Sequence, residues 1–291
     1  MEEKKKGKNW KRILIIFLVL ILFVFVGILF YSHFLAVKKL HVKEYRIVNE
    51  NLKVIHGYKI AHFSDIHFGK TTNSNDLKRM VIKINLMKPD LLIFTGDLID
   101  KDTTLTEKAK EEIETILKAL DKKIVKYCIK GEDDLKFTSY DFIMENAGFI
   151  SLDDTYKTLY ITKEDYLLLV GLKSTKNAES IGERLEEANH FISSLEEKPM
   201  YSIFVMHEPD FIEKIDTDFY DLVLAGHSHG GQVEIPFVGG IVYPKYAKKY
   251  HQDYMRIGKA NFYITSGIGT TTYGFRLFNP PSFNLYRLVS Y

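Results

Sequence analysis

The chain has a single cysteine, Cys128, among its 291 residues. One thiol excludes an intramolecular disulfide framework, and its apolar surroundings place it on a buried strand. The same scarcity takes thiolate out of any metal site the chain builds. Neither charge is in excess. Forty Lys and Arg stand against 38 Asp and Glu, a formal net charge of +2, and the sequence pI of about 8.3 falls short of a nucleic-acid signature. Internal repeats and low-complexity tracts are also missing. With 46% hydrophobic and 27% charged residues, the composition is that of a folded chain with one sizeable core, a single domain plus appendages.

One long hydrophobic run is present. Ile13 to Tyr31 carries no charge over 19 residues, enough to cross a hydrocarbon core of roughly 30 Å as a helix. Lys4, Lys5, Lys6, Lys8, Lys11 and Arg12 precede it, and Lys38, Lys39 and Lys43 follow. The positive-inside bias therefore favours a cytoplasmic N-terminus, with the remaining domain outside the cell membrane on a single-pass anchor. A cleaved signal peptide is the competing reading. Against it, the run is longer than a signal core and Tyr31-Ser32-His33-Phe34 offers no small-x-small cleavage site. The expected organisation is a basic N-terminus over 1–12, a transmembrane anchor over 13–34, a tether merging into a first strand over 35–56, and a folded domain over 57–291.

From Tyr58 onward short apolar runs alternate with helical patterns, which predicts an α/β fold. Leu77, Met80, Val81 and Ile84 fall at helical spacing, and so do Ile113, Ile116, Leu117 and Leu120. Ile181, Leu185, Ala188, Ile192 and Leu195 predict a third amphipathic helix. Strands are expected at Lys59 to Phe63, Leu91 to Thr95, Ile124 to Ile129, Tyr201 to Val205 and Leu222 to Ala225. Lys157 to Ile161 and Tyr166 to Gly171 read as a hairpin, and Phe262 to Thr265 with Phe283 to Val289 are expected to complete a second sheet.

Each of those five strands runs directly into a segment bearing metal-liking side chains: Asp65-Ile66-His67, Gly96-Asp97, Gly131-Glu132-Asp133-Asp134, His207, and Gly226-His227-Ser228-His229. In open α/β sheets functional groups collect beyond the carboxyl ends of the strands, so these segments can be aimed at one spot. Carboxylates mixed with imidazoles suit a pair of divalent ions of the Mn, Fe or Zn kind, and hence hydrolysis. Taken singly, each has a plainer reading as a strand-end polar residue or a turn hydrogen bond. His56, His62, His190 and His251 lack such context and read as structural.

The ordered set resembles the calcineurin-like metallophosphoesterases from about Lys59 to the C-terminus. Gly226-His227-Ser228-His229-Gly230-Gly231-Gln232, Ser266-Gly267-Ile268-Gly269 and Arg276-Leu277-Phe278-Asn279-Pro280-Pro281 are similar to its membrane-associated bacterial branch, which includes phosphodiesterase and UDP-diacylglucosamine pyrophosphatase-like members. The resemblance implies a four-layer α/β/β/α sandwich. It also implies that Asp65, His67 and His229 hold one metal, that His207, His227 and Glu132 hold the second, and that Asp97 bridges them. Asp97, Asp133 and His227 then stand at the reacting centre, and a hydroxide shared by the ions attacks phosphorus in line.

One element departs from the family. Against its Gly-Asn-His-Asp pattern, Gly131-Glu132-Asp133-Asp134 puts Glu132 in place of a metal-binding amide and Asp133 in place of the histidine that assists the leaving group. Glu132 adds negative charge, which tightens metal binding but makes the nucleophile harder to form. A carboxylate beside two cations has no proton to give at neutral pH, so activity is expected on pyrophosphate-like linkages or activated esters rather than simple alkyl phosphates. The leading reading is a membrane-anchored hydrolase of a phosphorylated lipid, nucleotide-sugar or envelope component, with no nucleic acid as partner. Two alternatives remain open: a catalytically weakened member that binds a phosphorylated ligand or metal without efficient turnover, and a scaffold braced by metal. Lys245, Lys248 and Lys249, interleaved with Tyr243, Tyr246 and Tyr250, read equally as phosphate contacts, as a solvated face or as headgroup contacts.

Overall fold

The computed structural model describes residues 2–271 and 273–291, with the side chains of residues 2–9 and 51 outside the description. The lysines at positions 4, 5, 6 and 8 that weigh on orientation fall in that stretch. Helix α1 (Glu2–Phe30) continues through a π turn (Tyr31–Leu35) and a 3-10 turn (Ala36–Lys38). The expected apolar span lies along this continuous helical segment; its most apolar 18-residue window has no residue buried in the protein, whereas Ser32, Ala36 and Val37 at the segment's end are buried. Strands follow in the order β1 (His41–Val48), β2 (Lys59–Phe63), β3 (Leu91–Phe94), β4 (Val125–Cys128), β5 (Ile150–Ser151), β6 (Thr155–Tyr160), β7 (Tyr166–Leu172), β8 (Tyr201–Met206), β9 (Leu222–Ala225), β10 (Glu234–Ile235), β11 (Gly239–Gly240), β12 (Tyr254–Ile257), β13 (Ala260–Ile264) and β14 (Ser282–Val289). Among them run α2 (Ser74–Met87), α3 (Glu107–Lys118), α4 (Tyr140–Asn146), α5 (Ile181–Arg184) and α6 (Glu186–Ser193).

Among the described residues two six-stranded sheets form, in the orders β1-β14-β2-β3-β4-β5 and β12-β13-β9-β8-β7-β6. Strand periodicity sorts the side chains into layers. Ile60, Leu91 and Ile93 of the first sheet meet Leu167, Leu169, Ile203, Val205 and Leu224 of the second. Their neighbours Ala61, Phe63, Leu92 and Phe94 turn the other way, against Leu77, Met80 and Ile84 of α2 and Ile113 and Leu117 of α3. On the far side Leu168, Val170, Phe204 and Val223 pack with Ile181, Leu185 and Ala188. The result is the expected α/β/β/α sandwich. Helix starts follow their caps: Asn73 accepts from the Asn75 and Asp76 N–H groups while Asp76 reaches back, and Thr106 accepts from Ala109 N–H.

Two expectations are corrected. Phe283 to Val289 does not join the second sheet; β14 lies in the first, parallel to β1 and antiparallel to β2. Both faces of this strand are apolar, Phe283 and Leu285 against the helices and Tyr286 and Leu288 between the sheets, so it needs an interior slot, which β1 provides by covering its edge. The third amphipathic helix is broken at Leu185 (φ −97°, ψ 7°) into α5 and α6, with Leu195 beyond. Arg184 there donates to the Asp154 carboxylate at 2.8 and 3.0 Å and to the Lys173 carbonyl at 3.0 Å, which fixes the direction of the first segment.

His62 lies between the sheets, its ring nitrogens 3.1 Å from Tyr286 Oη and 3.0 Å from Thr95 Oγ1. Burial pulls its pKa down to about 3. A histidine held neutral contributes stability that is complete above its unfolded value of 6.5 and is lost as the pH falls from there toward about 3. Unfolding free energy should therefore fall by up to about 1.4 kcal/mol per pH unit in that window. Comparing the pH dependence of Tm for the native chain and His62→Gln checks this: the variant is expected to show a shallower slope between those values.

Candidate metal centre

β2, β3 and β4 run parallel in the first sheet and β8 and β9 run parallel in the second. Each ends at its polar segment, so Asp65 and His67, Asp97, the 131–134 loop, His207, and His227 with His229 arrive from five strand ends. Three buried groups form, each with ligand atoms within 4.8 Å of one another: Asp65 with His67 and His229, Asp97 with His207 and His227, and His67 with Asp100 and Asp133. In the first, His229 Nε2 is 3.4 Å from Asp65 Oδ1 and 3.1 Å from His67 Nε2. In the second, His207 Nε2 is 3.3 Å from Asp97 Oδ2. That same oxygen is 3.6 Å from His67 Nε2, so Asp97 stands between the two groups.

The donor set fits divalent ions. His207 spends its Nδ1–H on the Thr95 carbonyl at 2.6 Å, and His227 spends its Nε2–H on the Lys245 carbonyl at 2.8 Å. Each ring therefore turns its other nitrogen inward, where it can serve as a metal ligand. His207 Nε2 is buried without a hydrogen-bond partner among the described residues, as are His67 Nδ1 and His229 Nδ1. Buried imidazole nitrogens without a partner, clustered with carboxylates, are costly, and a cation held among them removes that cost.

Backbone strain concentrates here. Asp65, His67, Asp97, His227 and His229 all have left-handed φ, at 50°, 44°, 62°, 64° and 51°. Such conformations cost non-glycine residues on the order of 1–3 kcal/mol each and persist where surrounding structure over-determines them. Asp134 does part of this: its buried carboxylate accepts from the N–H groups of Asp97, Leu98 and Gly131 at 2.7, 2.8 and 3.0 Å. Gly131 allows the close approach, because a Cβ there would lie 2.2 Å from Asp97 Oδ1. Asp133 N–H donates to that oxygen at 2.8 Å.

The charges are strongly coupled. Burial alone lowers the His67 imidazole, but Asp100 and Asp133 at Nδ1, with Asp97 and Asp65, outweigh it and hold it up at about 10. Burial opposes His207 as well, and Asp97 raises it well above its ordinary value. Burial, then the charges of His67 and Arg276, keep His229 far below. Burial raises Asp97, but His207, then His67 and His227, draw it below the carboxylate range. Burial and the Asp97 charge push Asp134 upward against its three N–H donors.

Glu132 stands apart from the three groups. It lines the same polar pocket, but its carboxylate lies 3.2 Å from Lys176 Nζ and is 41% exposed. Asp133 turns inward, with Oδ2 3.3 Å from His67 Nδ1 and accepting from Lys101 N–H at 3.1 Å. Among the basic residues near 245, Lys245 serves through its carbonyl while its ammonium covers the Tyr246 ring, and Lys249 pairs with Glu213. Asp100, three residues past Asp97 and 3.6 Å from His67 Nδ1, had no spacing signal. Nor did the roles of Arg276 and Asn279. Buried Arg276 donates to the carbonyls of Ser266, Gly267, Gly269 and Asn279. Asn279 donates to those of His229 and Gly230 at 2.8 and 2.9 Å. The tail thus fixes the loops that carry Asp65 and His229, since Ile268 and Gly269 N–H groups close on the Asp65 carbonyl.

A sandwich whose parallel strands converge on buried imidazoles and carboxylates defines a metal-dependent phosphoester hydrolase. The chain belongs to the calcineurin-like phosphoesterases, whose family model matches residues 58–231. It is 31% identical over 237 residues to an uncharacterised metallophosphoesterase of Bacillus subtilis, YkuE, covering 80% of each chain. It is 25% identical to the phosphodiesterase YaeI of Escherichia coli, covering 80% of this chain and 82% of that one. It is also 23% identical to the UDP-2,3-diacylglucosamine pyrophosphatase LpxG of Chlamydia muridarum, covering 81% and 84%.

Gly131→Ala is expected to displace the Asp97 carboxylate and cut phosphoesterase activity by about 10²-fold, in line with misplacement of a reacting group by an ångström. Steady-state kinetics beside an unchanged far-ultraviolet circular dichroism spectrum checks it.

Proposed function

We propose that the chain is a membrane-anchored metallohydrolase that cleaves a phosphodiester or pyrophosphate bond in a phosphorylated lipid, nucleotide-sugar or other envelope component. Asp65, His67 and His229 hold one divalent ion, His207 and His227 hold the other, and Asp97 is shared. The observation that carries this is the Asp97 oxygen 3.6 Å from His67 Nε2 and 3.3 Å from His207 Nε2. When bound, a pair of Mn, Fe or Zn ions supplies Lewis acidity toward the phosphoryl oxygens and a lowered pKa for water. Glu132, which pairs with Lys176 at 3.2 Å, would complete the ligands of the second ion. The phosphodiesterase and pyrophosphatase named among the relatives support the reaction class. Helix α1 supports the anchor, and the basic residues ahead of it are the ground for proposing residues 1–12 cytoplasmic and the domain from 57 onward outside.

Asp133 defines the leaving-group preference. Its Oδ2 accepts from Lys101 N–H and faces the His67 ring rather than standing free toward a departing oxygen, and acid assistance is typically worth about 10² to 10⁴ in rate. Rates across aryl phosphodiesters should fall steeply as the leaving-group pKa rises, and Asp133→His should flatten that dependence. A flat dependence in the native chain sinks the preference. The second reading, binding without efficient turnover, draws on the outward Glu132. Glu132→Asn with Asp133→His separates the two, because a native chain as active as this double variant excludes it.

Loading metal onto His67, whose metal-free form holds its proton up to about pH 10, must release that proton. Mn²⁺ titration by calorimetry in buffers of different ionisation enthalpy should show net proton release at neutral pH, with affinity rising as the pH climbs toward that value.

A further inference from the structure

The polar pocket that holds His67, Asp97, Asp133 and His227 has an apolar neighbour. A cavity of about 440 Å³ is walled on one side by Phe25, Ile28 and Leu29 of α1 and on the other by Val242, Phe275 and Leu277. Ser228 and His229 of the metal loop also line it. Pro244 and Thr271 line both spaces, so the two adjoin. Its polar wall groups are mostly spent on each other: Gln232 Nε2 donates to Thr271 Oγ1 at 2.6 Å, and Thr271 N–H donates to Gln232 Oε1 at 3.2 Å. The exceptions are Ser32 Oγ and His229 Nδ1, each buried without a hydrogen-bond partner among the described residues.

The membrane helix is fixed as part of this wall. Arg276 N–H donates to the Ser32 carbonyl at 3.1 Å and His33 Nδ1–H to the Gly274 carbonyl at 2.7 Å. Lys38 Nζ donates to the Thr71 carbonyl at 2.6 Å and pairs with Asp76. Beside the cavity, the β10–β11 hairpin carries Phe237 and Val238 fully exposed at its tip, and Ile241 and Val242 follow, also exposed. Such a patch is unusual on a water-facing surface and is accounted for where an adjacent span brings it to the bilayer interface.

We infer that this cavity binds a hydrocarbon chain of a membrane amphiphile whose phosphoester lies in the adjoining polar pocket, so that the membrane helix is a wall of the substrate site. The inference rests on the hydrolase reading above and narrows its substrate to a chain-bearing phosphoester. Three observations commit the occupant: an apolar lining formed in part by the span, continuity with the metal centre through Pro244 and Thr271, and a buried unpartnered hydroxyl at Ser32 suited to a polar group at the head of the chain. Pockets of this kind take apolar ligands oriented by few polar contacts.

The test uses the full chain in lipid nanodiscs loaded with Mn²⁺ and two p-nitrophenyl phosphodiesters that share a leaving group, one with a methyl and one with a dodecyl substituent. Leu29→Trp and Val242→Trp fill the cavity from its two walls, and Leu22→Trp, on α1 outside the lining, is the control. Both filling variants should lower kcat/KM for the dodecyl ester by about tenfold or more and leave the methyl ester within about twofold, as differential pocket contacts do; the control should change neither. Equal loss on both esters, or loss on neither, overturns the chain site. If the native chain hydrolyses neither ester, the phosphodiesterase half of that reading fails, and the cavity is judged by labelling with dodecyl phosphate carrying a terminal diazirine. Labels in segments 233–242 and 271–277 that disappear in Leu29→Trp support the cavity, whereas labels confined to 13–24 overturn it.

Discussion

The carboxylate of Asp97 lies where the two sheets meet, with one oxygen between the His67 and His207 rings and the other taken by the Asp133 N–H. Nearly everything nearby serves to put it there. Gly131 has no Cβ to collide with it, Asp134 collects the N–H groups around it, and the residue itself sits in a left-handed conformation that alanine-like backbone preferences resist. The strain is shared by Asp65, His67, His227 and His229, so folding energy from three hydrophobic layers holds five unfavourable turns in place.

A second constraint joins the distant ends of the chain. Arg276 gathers the carbonyls of Ser266, Gly267 and Gly269 with its guanidinium and the Ser32 carbonyl with its backbone N–H. The end of the helical segment begun by α1 and the loop beside Asp65 are therefore positioned by one buried residue. Burial lowers this guanidinium to about 10, and its three nitrogens donate to four carbonyls rather than to a carboxylate, which keeps the acidic groups free for the centre.

Much of the architecture was legible because its signals are local. Strand runs such as Leu91 to Thr95 and Leu222 to Ala225 appear within a residue of their expected bounds, since apolar runs bracketed by polar turns have few other folds open to them. The helix over 181–195 was overread because periodicity reports which face is buried and does not register a break such as the one at Leu185. The sheet membership of Phe283 to Val289 was misassigned because pairing partners are chosen by edges and cores remote in sequence.

The chain's order of residues by itself determined the family, the ligand types, the apolar span and the strand ends at which carboxylates and imidazoles would gather, because these depend on composition and short-range spacing. Only the tertiary structure decided that Asp97 lies between two groups, that Glu132 faces Lys176, that Asp100 reaches His67, and that α1 closes a cavity beside His229. Those facts depend on through-space distances between segments as much as 200 residues apart, such as Phe25 and His229. Local propensity carries no information about such distances until the sheets are packed.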